Sequence, residues 1–268
     1  MNDKAYVHGY SSSESRRLVD QATTLAELLH WDTAFPANSD VLEAGCGVGA
    51  QTVTIARNNP RARIRSVDIS ADSLMAAKDC IARAGLANVA FQQADIFDLP
   101  FAAASFDQVF ACFVLEHLRN PLAALARLKL VLKPGGTITA IEGDHGSTYF
   151  FPDSEDARRT IRCLVDIQAE IGGDALIGRR LYPLLAQAGF KDITVSPRMV
   201  YVDASKPQFV DGFTIKTFIA MVEGVRSQAI ARDMIDLDSW EKGIRDLYRT
   251  TESDGVFCYT FFKAVATA

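Results

Sequence analysis

The sequence has no cysteine pattern to build on. Its five cysteines (Cys46, Cys80, Cys112, Cys163 and Cys258) are an odd number, widely scattered, with no Cys-x-x-Cys pair. A disulfide framework is excluded, and reduced thiols in a cytoplasmic setting are expected. Histidine is equally sparse. The four histidines make no His-x-x-x-His pair, the spacing by which one helix face offers two imidazoles to a metal, so no metal site is expected. Runs of Lys or Arg are missing too, and 28 basic against 33 acidic residues leave a net charge of −5. A dedicated polyanion binder needs a basic patch, so no nucleic-acid partner is expected. No apolar run is long enough to span a bilayer, and Met1-Asn2-Asp3-Lys4 opens no signal peptide, so no membrane partner is expected either. There are no internal repeats and no low-complexity segments.

What is present is a full complement of core-forming residues, 49% apolar over 268 positions. That fits one large domain, or one domain with a sizeable insertion. The stretch that organises the chain is Val41-Leu42-Glu43-Ala44-Gly45-Cys46-Gly47-Val48-Gly49. Four residues read as a short buried strand, a glycine-rich turn follows, and Gln51–Arg57 reads as a helix. A strand, a tight turn and a helix N-terminus set bare backbone N–H groups beside a cavity. Each glycine removes a Cβ that would block a ligand. The spacing is Gly-x-Gly-x-Gly, whereas the dinucleotide fingerprint puts its third glycine one step later. An acid stands at each end of the unit. Glu43 lies at the end of the strand, where a carboxylate is costly without a cationic or donor partner. Asp68 ends a second strand, Arg63-Ile64-Arg65-Ser66-Val67, where it is placed to accept two ribose hydroxyls.

From Val41 onward strands and helices alternate, which implies parallel strands joined by crossover helices. Strands are expected at 41–44, 63–67, 89–92, 108–114, 137–142 and 191–196, with a β-branched and aromatic strand at 256–264. Ser70 caps a helix closed by Gly85, Asn120-Pro121 opens another, and Pro134-Gly135-Gly136 stops it. Upstream, Ser11-Ser12-Ser13-Glu14 is a capping-box pattern. It precedes Leu18, Ala22, Leu25 and Leu29 at helical spacing, so a helix ending near His30 is expected. Two intervals, about 143–174 and 203–254, read as helical insertions.

Four stretches taken together resemble the class I S-adenosylmethionine-dependent methyltransferases of small-molecule type. They are the glycine turn, Gln93-Ala94-Asp95-Ile96-Phe97-Asp98-Leu99-Pro100-Phe101, Phe106-Asp107-Gln108-Val109-Phe110 running on to Leu115-Glu116-His117-Leu118, and Leu132-Lys133-Pro134-Gly135-Gly136-Thr137. They follow the family's order over roughly residues 40–142. The resemblance implies an α/β fold with a seven-stranded, mostly parallel sheet, helices on both faces, and a last strand that runs antiparallel between strands five and six. Residues 1–36 would form a helical N-terminal lid, and residues 37–268 the cofactor-binding domain with its cap insertions.

The same resemblance implies the cofactor, S-adenosylmethionine, and the product, S-adenosylhomocysteine. Gly45, Gly47 and Gly49, with Gln51 behind them, would approach the amino-acid and ribose portions. Glu43 would fix the amino group. Asp68 would take the ribose hydroxyls, with Ile69 against adenine, Asp95 accepting from the exocyclic amine and the Ile96 N–H donating to the ring. Phe113 either lies along the methionine portion or serves the core. Tyr10 either reaches the sulfonium, with Arg17 or Gln21 near the methionine end, or packs the start of the helix. A base is needed only if the acceptor keeps a proton at neutral pH. The candidates are His117 and Glu116 past strand four, and Asp144 and His145 past strand five, with packing roles as the alternative for His117. His8 and His30 read as surface or packing residues, and Arg179 and Arg180 as a solvent-exposed helix start. Phe209, Phe213, Phe218, Met221 and Val222 suit either a pocket wall or a helix face packed on the sheet.

The expected activity is methyl transfer to a small organic acceptor at O, N or C, with a place in secondary metabolism, by a monomer or homodimer. Competing expectations are a non-catalytic binder of the same cofactor, a nicotinamide-dependent dehydrogenase, and methylation of a protein or RNA. Glycine spacing and the Asp95-Ile96 segment count against the dehydrogenase, and charge against the last.

Overall fold

Residues 12–268 are described by a computed structural model of the chain. Helix α1 spans Ser12–His30, the length and endpoint expected from its leucine spacing. Tyr10 and the start of the expected lid lie outside the described residues. The first βαβ unit follows as β1 (Asp40–Ala44), α2 (Ala50–Asn58) and β2 (Arg63–Asp68). Then come α3 (Ala71–Arg83), β3 (Val89–Gln93), β4 (Phe106–Cys112) and α4 (Pro121–Val131). Local chemistry explains the helix starts. The Ser70 hydroxyl accepts from the Ser73 N–H at 3.2 Å, and the Asn120 side chain accepts from the Ala123 N–H at 3.0 Å with Pro121 behind it. Each cap satisfies a donor the helix itself leaves orphaned.

The remaining elements are β5 (Leu132–Phe151), α5 (Glu155–Glu170), α6 (Leu181–Gln187), β6 (Lys191–Asp203) and β7 (Val256–Thr267). Sheet order is β3-β2-β1-β4-β5-β7-β6, with the last strand antiparallel and slotted between β5 and β6. Strands β3, β2, β1, β4 and β5 pair in parallel. Leu42, Val109 and Ile138 on three of these strands are wholly buried, as are Leu125 and Leu128 of α4. Each such side chain contributes about 1.5–3 kcal/mol through burial.

Three strands are longer than the sequence pattern indicates. Strand β5 runs on past Glu142 to Phe151 and so contains Asp144 and His145, which are expected from sequence in a loop beyond it. Strand β6 continues to Asp203, and β7 to Thr267. A 3-10 segment, Ile177–Arg180, leads directly into α6. Arg179 and Arg180 close that segment, exposed as expected.

Two units can be distinguished. The sheet unit comprises Ala26–Gly143, Ile177–Arg198 and Phe261–Ala268. The helical unit comprises the described residues up to Leu25, Asp144–Leu176 and Met199–Thr260. Within the helical unit a ten-residue π-helix, Val210–Ile219, is followed by helices at Ala220–Glu223, Arg226–Ala231 and Leu237–Arg249. Phe213 and Phe218 of the π-helix are buried against Phe257 and Tyr259 of β7. Of the two roles open to the aromatic residues of this insertion, Phe213 and Phe218 take the packing one. Among the described residues no helix is long and apolar enough to cross a membrane.

Candidate cofactor site at the carboxyl edge of the parallel strands

The parallel register brings the named residues to one edge. Ala44 pairs with Val67 on one side and Ala111 on the other, Asp68 pairs with Gln93, and Cys112 pairs with Ile141. The residues at or just beyond those pairs are Gly45, Asp68, Asp95, Phe113 and Glu142. All of them belong to the sheet unit.

The glycine turn is held from beneath by β2. The N–H groups of Gly45 and Cys46 both donate to the Val67 carbonyl, at 2.8 and 3.0 Å. Gly45, Gly47 and Gly49 have φ of 74°, 51° and 80°, the left-handed region that side chains disfavour. A Cβ at Gly49 would stand 2.9 Å from the Ala77 backbone, so this glycine lets α2 approach α3. A Cβ at Gly47 would meet nothing within 4 Å. Gly47 therefore faces open space. Helix α2 begins at Ala50 with no side-chain cap, so its first N–H groups stay available to an anionic ligand.

Asp68 joins the turn to α3. Its Oδ2 accepts from the Gly47 N–H at 2.8 Å and its Oδ1 from the Ser70 N–H at 2.9 Å. Ile69 beside it is 40% exposed, an apolar side chain turned outward. Asp95 accepts from the Phe97 N–H at 3.0 Å, which fixes the turn carrying Ile96, and Ile96 packs against the core. Phe113 adopts φ of 57° while its N–H donates to Ile141 at 2.9 Å. A bulky residue in that region costs on the order of 1–3 kcal/mol, and such residues cluster at functional sites. Its ring packs on Phe261 at 5.5 Å.

Glu43 is 2% exposed, and its Oε2 accepts from the hydroxyl of Ser66, its cross-strand partner, at 2.5 Å. Burial pushes its carboxyl up to about 7, against the pull of the Ser66 and Thr52 hydroxyls, and the Asp68 charge adds to the rise. Cys46, within the turn, is also buried. Its thiol is pushed well above its ordinary range by burial, then by the Glu43 and Asp68 carboxylates.

Glu142 has no counterpart among the residues singled out from sequence. It is wholly buried, and one oxygen accepts from the N–H groups of Val114 and Leu115 at 3.1 and 2.8 Å, the other from Glu116 at 3.4 Å. This carboxyl caps the 3-10 turn Leu115–His117. Burial, and then the neighbouring Glu116 charge, raise it well above the usual carboxylate range. The turn carries His117, whose Nε2 lies 3.5 Å from a Glu116 oxygen.

His30, read from sequence as a surface or packing residue, is 1% exposed and hydrogen-bonded on both nitrogens. Its Nε2 lies 2.7 Å from Oε1 of Gln51, the second residue of α2. Arg17, Gln21, Asp144 and His145, also named from sequence, lie in the helical unit. His145 is buried inside β5, with Nδ1 2.7 Å from the Tyr259 hydroxyl and its ring against Phe218. Asp144 accepts from the Gly146 N–H at 3.0 Å. Arg17 donates to Gln21 at 3.2 Å along α1. Among the described residues no group of three or more His, Cys, Asp or Glu side chains is arranged to hold a metal ion.

Residues 42–140 match a family model described as a methyltransferase domain. The 27-O-demethylrifamycin SV methyltransferase of Amycolatopsis mediterranei is 31% identical over 132 residues, 49% of this chain and 48% of that protein. The chain spans between about a third and about half of the length of the curated relatives it matches most strongly. Among solved structures, the phosphoethanolamine N-methyltransferase 2 of Haemonchus contortus in complex with S-adenosyl-L-methionine superposes with a TM-score of 0.55 at 18% identity, over 91% of this chain and 52% of that one. The geranyl diphosphate C-methyltransferase of Streptomyces coelicolor A3(2) gives 0.54 at 17%, over 92% and 79%. Residues 42–140 therefore match a methyltransferase domain, and the chain has the fold of the class I S-adenosylmethionine-dependent methyltransferases.

Proposed function

We propose that this chain transfers a methyl group from S-adenosylmethionine to a small organic acceptor. The observation that supports this most directly is the pairing of Gly47 with Asp68. The carboxylate holds the open glycine by its N–H and still has lone pairs for ribose hydroxyls. In this reading Ile69 and Ile96 flank adenine, Asp95 and the Ile96 N–H read its edge, and Glu43 takes the amino group. Phe113 lies along the methionine portion. The cofactor supplies a methyl group already activated by its sulfonium charge. The protein's task is then to align donor and acceptor and exclude water, and alignment alone supplies about 7–11 kcal/mol.

Where the acceptor keeps a proton, His117 takes it. Glu116 beside it favours the imidazolium that results, and the Glu142 cap fixes the turn that carries both. His145 is the weaker candidate, since its ring is engaged with Tyr259 inside a strand. The relative and the two neighbours are named for O-, N- and C-methylation of small molecules. The proposal is accordingly one of acceptor size rather than acceptor atom, and the rifamycin-type relative supports a place in secondary metabolism.

The test is calorimetric titration of the purified protein with S-adenosylmethionine, S-adenosylhomocysteine and NADH in parallel, followed by a screen of small acceptors for methyl transfer. Micromolar binding of the first two, none of NADH, and turnover with an acceptor are expected. Binding of NADH alone would overturn the reading, and binding without turnover on any acceptor would leave only a cofactor-binding role.

A further inference from the structure

Six polar side chains link β6 and β7 to the first turn of α2. Lys263, 3% exposed on β7, donates to Asp32 at 2.6 Å and to the Thr33 hydroxyl at 2.7 Å. Thr33 Oγ1 lies 3.3 Å from His30 Nδ1, and His30 Nε2 lies 2.7 Å from Gln51 Oε1. Arg198 closes the far end on Asp32 at 2.5 Å. All belong to the sheet unit.

The direction of each bond follows from its partners. A carbonyl oxygen has no proton to give, so His30 must donate to Gln51 through Nε2–H. The ammonium of Lys263 donates to Thr33, which leaves the threonine hydroxyl free to donate to His30 Nδ1. The imidazole is then neutral with its proton on Nε2. Burial agrees, since it lowers the His30 pKa to about 4, and the nearby Lys263 charge works in the same sense.

We propose that His30 is a positioning residue for cofactor binding, which locks the Gln51 amide with its oxygen turned toward His30 and its NH2 turned toward the open end of α2. The inference rests on the cofactor reading above and adds a specific donor to it. An uncapped helix start beside Gly47 offers N–H groups to a carboxylate, and the carboxylate of a methionine or homocysteine moiety is the group that suits them. Gln51, held in one orientation, adds a side-chain donor at the same place. A freely rotating amide would present oxygen as readily as nitrogen, and the oxygen repels an anion. The buried lysine and threonine matter because they fix the tautomer that makes the orientation unique.

The experiment compares two probes by calorimetry on the intact chain. S-adenosylhomocysteine has the amino-acid end; 5′-methylthioadenosine lacks it. His30→Ala is expected to weaken the first about tenfold and to change the second less than twofold. Gln51→Leu, at a half-buried position that tolerates the change, should do the same. The double variant should lose no more than either single one, because the two act as one unit. His30→Gln, which returns an N–H near the Nε2 position, should recover most of the affinity. Equal weakening of both probes, additive losses, or no change in either variant would overturn the positioning role. Failure of the wild-type protein to bind either probe would overturn the cofactor reading itself, a result distinct from any of these.

Discussion

Glu43→Gln gives a prediction whose size can be worked from the structure. The Glu43 carboxyl is buried and its pKa rises from 4.5 to about 7 in the folded chain. Below about pH 4.5 it is protonated in both the folded and unfolded chain and has no effect. Between there and about pH 7 the unfolded chain ionises while the folded one keeps its proton, so stability falls as pH rises. At about 1.4 kcal/mol per unit the full loss is about 3 kcal/mol, and it is complete above pH 7. That is a sizeable share of the roughly 5–15 kcal/mol that stabilises an ordinary domain. The substituted amide keeps an oxygen to accept from Ser66 and cannot ionise. Urea unfolding at pH 5 and pH 8 should show the variant gaining about 2.5 kcal/mol on wild type between the two, since part of the loss has occurred by pH 5, read as a shift in midpoint at unchanged slope. Other titrating groups cancel in this difference. An identical offset at both pH values would refute the buried, proton-holding state of Glu43. Cofactor binding provides a second readout, since an ammonium placed beside Glu43 favours its ionised form. Affinity for S-adenosylhomocysteine should therefore rise from pH 6 to pH 8 in wild type and stay flat in the variant.

Further expectations concern the same edge of the sheet. Gly47→Ala meets no steric obstacle but must hold φ near 51°, so thermal unfolding should show a loss of about 1–2 kcal/mol, while calorimetry shows a larger loss of cofactor affinity. Asp68→Ala removes the acceptor of two backbone N–H groups and of the proposed ribose contact, and should weaken cofactor binding by about 1–3 kcal/mol; unchanged affinity in a folded variant would exclude the ribose role. Glu142→Ala strands three N–H donors, two of them buried, and should destabilise the chain by about 3–5 kcal/mol in urea titration. His117→Ala should lower turnover at constant cofactor affinity and remove the limb of the pH–rate profile near neutrality; a profile of unaltered shape would make the residue structural.

The glycine turn and the acids beside it are legible in sequence because their geometry is local. A glycine turn, an acid at a strand end and a capping serine announce themselves within ten residues. Strand β5 misleads for the same reason. Pro134-Gly135-Gly136 and Gly143-Asp144-His145-Gly146 both look like loop, and the segment after Glu142 has no apolar alternation. It is strand because its polar groups are satisfied through space: the Ser147 hydroxyl accepts from the Thr260 N–H at 3.0 Å, and the His145 N–H donates to Ala175 at 2.9 Å. His30 and Glu142 escape detection on similar grounds. Nothing in Leu28-Leu29-His30 or Ala140-Ile141-Glu142 distinguishes a buried side chain from a surface one, because Gln51 lies 21 residues from His30 and the N–H donors to Glu142 lie 26 to 28 residues away. The π-helix Val210–Ile219 differs: its apolar content signals helix, and within it the Thr217 hydroxyl donates to the Gly212 carbonyl five residues back.

Cys46 gives the site a built-in clock. Its thiol sits inside the glycine turn, where burial and the neighbouring Glu43 and Asp68 raise its pKa, and a protonated thiol reacts poorly with alkylating agents and peroxide. Labelling of this sulfur must therefore wait until the turn opens. The rate at which it is trapped reports how often the loop parts from β2, and a ligand bound across Gly47 slows that rate in proportion to its occupancy. The chain thus carries, one residue from Gly47, a chemically silent atom whose awakening can be timed by mass spectrometry without any introduced probe.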